Sequence, residues 1–316
     1  MLGRIDPMVR LLVAAIALAI VLPASGRYHD AAQWIANAAV FLLFFLNGLR
    51  LPRGDVLAGL GNWRVLGALA LWCFGAMPLL GWGLWHAAGL VLPPLLALGF
   101  LYCAVLPSTV QSATAYASLA GGSVALSVVA AALLNIVGVF ASAPIFALLG
   151  GAAGAAMGLQ GLFKVIAILL LPFALGQALQ RRFGGWVANH RLLIARVDRV
   201  SIATAVYVAF SGAVAERFWT RVDGMGWAGL IAGVALLLAL AHGGAWLLGT
   251  LMRRPRPERI TILFAGAQKS IAMGAPLATI LFRPNAAGIV LLPILLYHLA
   301  QMVIAAPLAA RLARDS

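Results

Sequence analysis

Two stretches concentrate the groups able to do chemistry. "FAGAQKSIAMGAP", residues 264–276, sets Gln268, Lys269 and Ser270 inside an apolar run. "AVLPSTVQSATAYASLAGG", residues 104–122, places Ser108, Thr109, Gln111, Ser112 and Thr114 just after Pro107. Hydroxyls, amides and an amine at such spacing can bind a small cation or hold an anion. Asn135, His298 and Ser127 lie in neighbouring apolar runs and join the candidate set. No His/Asp/Glu metal set, Ser–His–Asp set or nucleotide motif stands beside them, which disfavours an enzyme. Cys73 and Cys103 lie in apolar runs without CxxC spacing and read as small buried side chains.

An ionisable residue at membrane depth is a functional candidate by default, because its charged form is costly there. Isolated Ser and Thr in membrane helices often only bond back to their own carbonyls or join helices. The concentration of polar groups at two matched places carries more weight than any one of them. Asn135 and His298 have both readings open, site lining or interhelical hydrogen bonding. Asn47 reads as a site group or a helix C-cap. His242 reads as a packing contact.

These groups must be held by spanning helices. The chain has 316 residues, 64% hydrophobic and 9% charged, with mean hydropathy +1.03. Soluble domains carry roughly 25% charged residues, so the solvent here is largely lipid. About 20 mostly apolar residues span a bilayer. Ten stretches qualify: 8–25, 31–49, 65–88, 93–120, 122–149, 160–180, 197–215, 227–252, 259–282 and 286–311. They form a single membrane domain, 1–316, in which helices are the expected form. The alternative for residues 1–25 is a signal peptide. Trp34, Trp63, Trp85 and Trp227 read as interface anchors, and residues 50–64 as a short amphipathic element.

The net charge of +14 does not indicate nucleic acid, because the basic residues cluster between apolar runs. Arg181, Arg182, Arg191, Arg196 and Arg199 fall in one loop, and Arg253, Arg254, Arg256 and Arg259 in another. The opposite loops hold only Arg27, Lys164, Arg217, Arg221 and Arg283. This bias places both termini in the cytoplasm, and the expected location is the plasma (inner) membrane.

The halves, approximately 1–155 and 156–316, repeat. Asn47-Gly48 corresponds to Ser211-Gly212, Trp63 to Trp227, Asn135 to His298 and Pro144 to Pro307. Five spans per half is odd, so the second half is inverted relative to the first, with the site expected near the midplane. Spans four and nine are the interrupted pair. If they cross, four half-helix ends meet, offering carbonyls to cations and N–H groups to anions.

"FLLFFLNGLRL", "LPSTVQSATAYASLAGGSVALSVVAAALLNIVGVF", "AGAQKSIAMGAPLATILF" and "LLPILLYHLAQMVIAAPLAARL" together resemble the bile acid:sodium symporter family, most closely its SBF-like branch. The resemblance runs from about residue 8 to 312. It implies a panel domain (spans 1, 2, 6, 7), a core domain (spans 3–5, 8–10) and crossing helices 4 and 9 with sodium behind the crossing. Carried over by position, Ser112, Ser127 and Gln268 match sodium ligands. Three oxygen-bearing ligands are replaced, by Phe264, Ala113 and Ala131. A hard cation wants several oxygens, and here a cation, Lys269, has been added instead. The resemblance implies no cofactor other than sodium. The expectation is that Lys269 stands where sodium sits in relatives and bonds Ser112, Ser127 and carbonyls freed at the span-four break. It then exchanges a proton during transport, or stays charged as a pin or as an anchor for an anion. The expected function is secondary active transport of an organic anion by alternating access, coupled to sodium or protons. The alternative is a non-transporting scaffold or regulator that retains the fold.

Overall fold

The computed structural model describes residues 7–24, 27–50, 62–151, 166–215, 217 and 222–314. Residues 51–61 of the expected amphipathic element, the start of span six and the junction of the two halves lie outside them. The protein is all-helical, with no strand among the described residues. Six helical runs there are long and apolar enough to cross a membrane: Tyr28–Arg50, Trp63–Ala88, Val124–Leu149, Gly224–Leu251, Arg256–Leu281 and Pro284–Arg314. Pro7–Val21 and Pro94–Val105 are shorter apolar helices. Many large apolar side chains point outward, among them Val21, Leu148 and Leu192, each about four-fifths exposed. Trp34 and Trp63 are also exposed.

The helices are α1 (Pro7–Val21), α2 (Arg27–Arg50), α3 (Trp63–Leu71), α4 (Met77–Ala88), α5 (Pro94–Val105), α6 (Gln111–Leu119), α7 (Val124–Leu149), α8 (Leu171–Asn189), α9 (Arg191–Ala215), α10 (Gly224–Leu251), α11 (Arg256–Ala267), α12 (Ile271–Leu281) and α13 (Pro284–Arg314). A π-helical turn, Trp72–Ala76, joins α3 to α4, and another, Ile166–Leu170, precedes α8.

The helices group into two compact units. The first holds α1, α2, α8, α9 and residues 274–291. Within it, α2 packs on α8 and α9, and α1 on α9. Small residues let such backbones approach closely where lipid supplies no hydrophobic drive. A Cβ on Gly48 would stand 3.0 Å from both the Gly176 Cα and the Gln177 nitrogen. The Gln177 amide donates to the Gly48 carbonyl at 2.5 Å, and Arg50 pairs with Asp198 at 2.5 Å. Gly48→Val should therefore wedge α2 from α8. The expected loss is about 1–3 kcal/mol from overpacking, read as a lower unfolding temperature in detergent.

The second unit holds α3–α7, α10, α11, the start of α12 and α13 from residue 292. Its α5 and α11 are built alike. Each has 12 residues, follows a proline in extended conformation (Pro93, ψ 141°; Pro255, ψ 150°), and ends at an extended residue (Leu106, ψ 147°; Gln268, ψ 143°). Proline opens a helix readily because the first turn's N–H groups have no intrahelical partner. Pro107 biases the residue before it away from helix, which stops α5 at Leu106. No proline stops α11.

Candidate functional site

A helix end leaves carbonyls without intrahelical partners, and inside a bilayer water cannot satisfy them. At the α5 terminus, Lys269 Nζ donates to Ala104 O at 2.7 Å and Leu106 O at 2.8 Å. The Ser142 hydroxyl donates to Val105 O at 2.8 Å between them. At the α11 terminus the partners are neutral. The Tyr297 hydroxyl donates to Ala267 O at 2.6 Å, and Trp72 Nε1 to Gly266 O at 3.1 Å. The π turn that begins at Trp72 widens the helix beside α11. The breaks are also joined by backbone, Ser270 N–H to Pro107 O at 2.9 Å.

Lys269 is fully buried. Its ammonium stands at a helix C-terminus, where the macrodipole favours a cation. An ammonium has three hydrogens and an amine two. Both forms can therefore satisfy the two carbonyls, and a proton can leave or arrive without breaking either contact.

The candidate residues divide into groups. Thr109, Ser112 and Gln268 form one cluster: both hydroxyls donate to Gln268 Oε1, Thr109 at 2.7 Å. Thr109 and Ser112 also lie 2.6 Å apart. The Gln268 Nε2 is buried with no hydrogen-bond partner. Asn135 donates from α7 to Ser108 O at 3.0 Å and to Ala131 O at 2.8 Å. Ser108 is buried on the same break. Ser270 accepts from Met273 N–H at 3.3 Å, as the N-cap of α12. Ser127 stands apart and donates to Thr114 at 3.3 Å. Gln111 is exposed on the first turn of α6.

The ammonium thus meets carbonyls rather than the hydroxyls of Ser112 and Ser127. Orphaned carbonyls at a helix end are fixed acceptors, whereas each hydroxyl has a nearby amide or hydroxyl to serve. Phe264 is fully buried against Tyr116 with ring centroids 6.0 Å apart.

Gln301 was missed in the sequence. It is fully buried on α13, and its amide bonds both the N–H (2.9 Å) and the C=O (3.1 Å) of Lys269. Its Nε2 also lies 2.8 Å from His298 Nδ1. The available signal was an amide one turn beyond a histidine already singled out.

The chain matches the profile of the SBF-like CPA transporter family over residues 6–314. It belongs to that family. Among its relatives, PA2026 of Pseudomonas aeruginosa PAO1 is 38% identical over 304 residues, covering 96% of this chain and 91% of that protein. A protein named "Putative symporter YfeH" from Escherichia coli K12 is 36% identical over 321 positions, 99% of this chain and 94% of that one. YbaS of Bacillus subtilis 168 is 24% identical over 241 residues, 73% of this chain and 72% of its own. This SBF-like protein is therefore an integral membrane protein of a transporter family, and its polar breaks lie between α5 and α6 and between α11 and α12.

Proposed function

We propose that the protein is a secondary active transporter of an organic anion, working by alternating access, in which Lys269 takes the place of a sodium ion. The observation that carries this reading is the pair of carbonyl contacts at 2.7 and 2.8 Å from Nζ. They give a buried cation the oxygen neighbours that a monovalent metal would otherwise need. The residues suit sodium poorly. Gln268 Oε1 already receives two hydroxyl hydrogens, and Phe264, Ala113 and Ala131 bring no oxygen side chain. Lys269, with its two-hydrogen requirement, suits a proton as the coupling ion. The unpartnered Gln268 amide supplies a donor for a carboxylate.

The ten-span inverted repeat is part of the same proposal. The matched proportions of α5 and α11 support it. So do Gly48 and Gly212, equivalent in the two halves and both at close backbone contacts, Gly212 against Pro284. The unit containing α1, α2, α8 and α9 corresponds to the panel and the other to the core, with both termini cytoplasmic in the plasma (inner) membrane. A scaffold would have no need of the buried amine, amides and hydroxyls at one pair of breaks.

The test is flux into proteoliposomes across a panel of organic anions, with sodium and pH gradients imposed separately. Uptake that follows the pH gradient and ignores sodium is expected. Uptake strictly dependent on sodium would remove Lys269 from its assigned place, and no uptake of any anion in the panel would favour the scaffold.

A further inference from the structure

Gln268 N–H makes the last helical bond, to Phe264 O at 3.3 Å. Beyond it the N–H groups of Lys269 and Ser270 bond outside the helix, and the backbone of Lys269 is satisfied by one side chain. Gln301 accepts from its N–H and donates to its C=O. This two-point contact fixes the orientation of the Gln301 amide, since a flipped amide would set oxygen against oxygen and nitrogen against nitrogen. Nε2 is therefore a donor. One of its hydrogens goes to Lys269 O and the other faces His298 Nδ1 at 2.8 Å. A donor can approach Nδ1 so closely only where that nitrogen offers a lone pair. The ring of His298 thus carries its proton on Nε2.

The opposite break explains why an amide is needed. Pro107 follows the extended residue that ends α5 just as Lys269 follows the one that ends α11, and it has no N–H. The residue packed on it from α7 is Gly138, where even a Cβ would stand 2.7 Å from the Pro107 ring. Pro107 needs a donor only for its C=O, which the Ser270 N–H supplies at 2.9 Å, whereas Lys269 needs both a donor and an acceptor.

We propose that Gln301 is a positioning residue for Lys269, and that the clamp it forms opens when His298 takes up a second proton. A proton on Nδ1 turns the lone pair into a donor facing a donor. Gln301 can then keep its bonds to Lys269 or turn its oxygen to the imidazolium, but not both. The titratable groups gathered at this break are Lys269 itself, Cys103 and Tyr102 on α5, Cys73 on the π turn and Tyr297 beside His298. Lys269 is the base among them, so a charge on His298 brings like charge to the break and adds repulsion to the lost bond. In the transport reading, on which only this use depends, the clamp lets a proton free the unwound segment.

The chain has two lysines, Lys164 and Lys269, and five histidines. Labelling with 15N-lysine therefore gives two backbone amide signals, assigned by Lys164→Arg. Labelling with 15N-histidine reports each ring's tautomer, with His298 assigned by His298→Phe. In lipid nanodiscs near pH 8, His298 is expected with Nδ1 bare. On acidification the Lys269 amide signal should move together with the His298 titration. His298→Phe should abolish that movement. Gln301→Leu should displace the Lys269 signal at every pH. Gln301→Glu, whose carboxylate accepts from a doubly protonated ring, should move the transition to higher pH by about one unit or more, and it keeps the test open if the leucine variant fails to fold. A protonated Nδ1 at pH 8, or a Lys269 amide indifferent to the His298 titration, overturns the proposal. No substrate enters this measurement, so its failure and a failure of the flux assays are separate results.

Discussion

Lys269→Met should lower the unfolding temperature in detergent by several degrees and abolish transport. Methionine fills similar volume but brings no hydrogen, so Ala104 O and Leu106 O lose their partner. Each buried acceptor left unmade costs about 1–3 kcal/mol. Removing the amine also removes the cost of burying a charge, which offsets part of this loss. Lys269→Gln separates structure from function, because its amide still offers two hydrogens but no charge. The glutamine variant should recover most of the lost stability yet carry the wild type's best panel anion at least about tenfold more slowly, the equivalent of 1.4 kcal/mol. Wild-type uptake in both variants would show that the charge has no part in transport.

The second large effect is expected from a methyl group. Gly138→Ala puts a Cβ 2.7 Å from the Cβ and Cγ of Pro107 and 3.1 Å from its Cδ. Neither the ring nor the α7 backbone has a rotamer with which to yield, so the break itself must shift. Leu106 O, one residue before the proline, then moves relative to Lys269. A loss of about 1–3 kcal/mol follows from overpacking, with a larger loss of transport. Gly67→Ala is the internal control: a Cβ there meets nothing within 4 Å. Exposed helix interiors gain about 0.5–1 kcal/mol from Gly→Ala, so this variant should be neutral or stabilised. If both substitutions behave alike by thermal unfolding, the glycine at 138 has no spacing role.

The sequence made the membrane class and the location of both breaks legible for different reasons. Mean hydropathy and the shortage of charge speak directly of lipid. Pro107 announces the first break through its missing N–H, and Lys269 the second through its unfavourable placement. What Lys269 contacts was only half legible. Freed carbonyls follow from the sequence, because a broken helix must expose them. The pairing of Ser112 with Gln268 and of Ser127 with Thr114 depends on helix rotation, which hydropathy does not encode in a uniformly apolar chain. α7 shows the problem: every face is apolar, so no periodicity reveals that Asn135 turns toward Ser108. Gln301 was hidden in the same way. Its meaning lies in bonding the backbone of a residue 32 positions earlier.

The lysine that completes the α5 terminus follows its two acceptors by 165 and 163 residues in the chain. During synthesis the first half therefore enters the bilayer with that terminus still open. It stays open until the ribosome has made most of the second half. A nascent chain arrested between the halves would hold Ala104 O and Leu106 O in hydrocarbon without their donor.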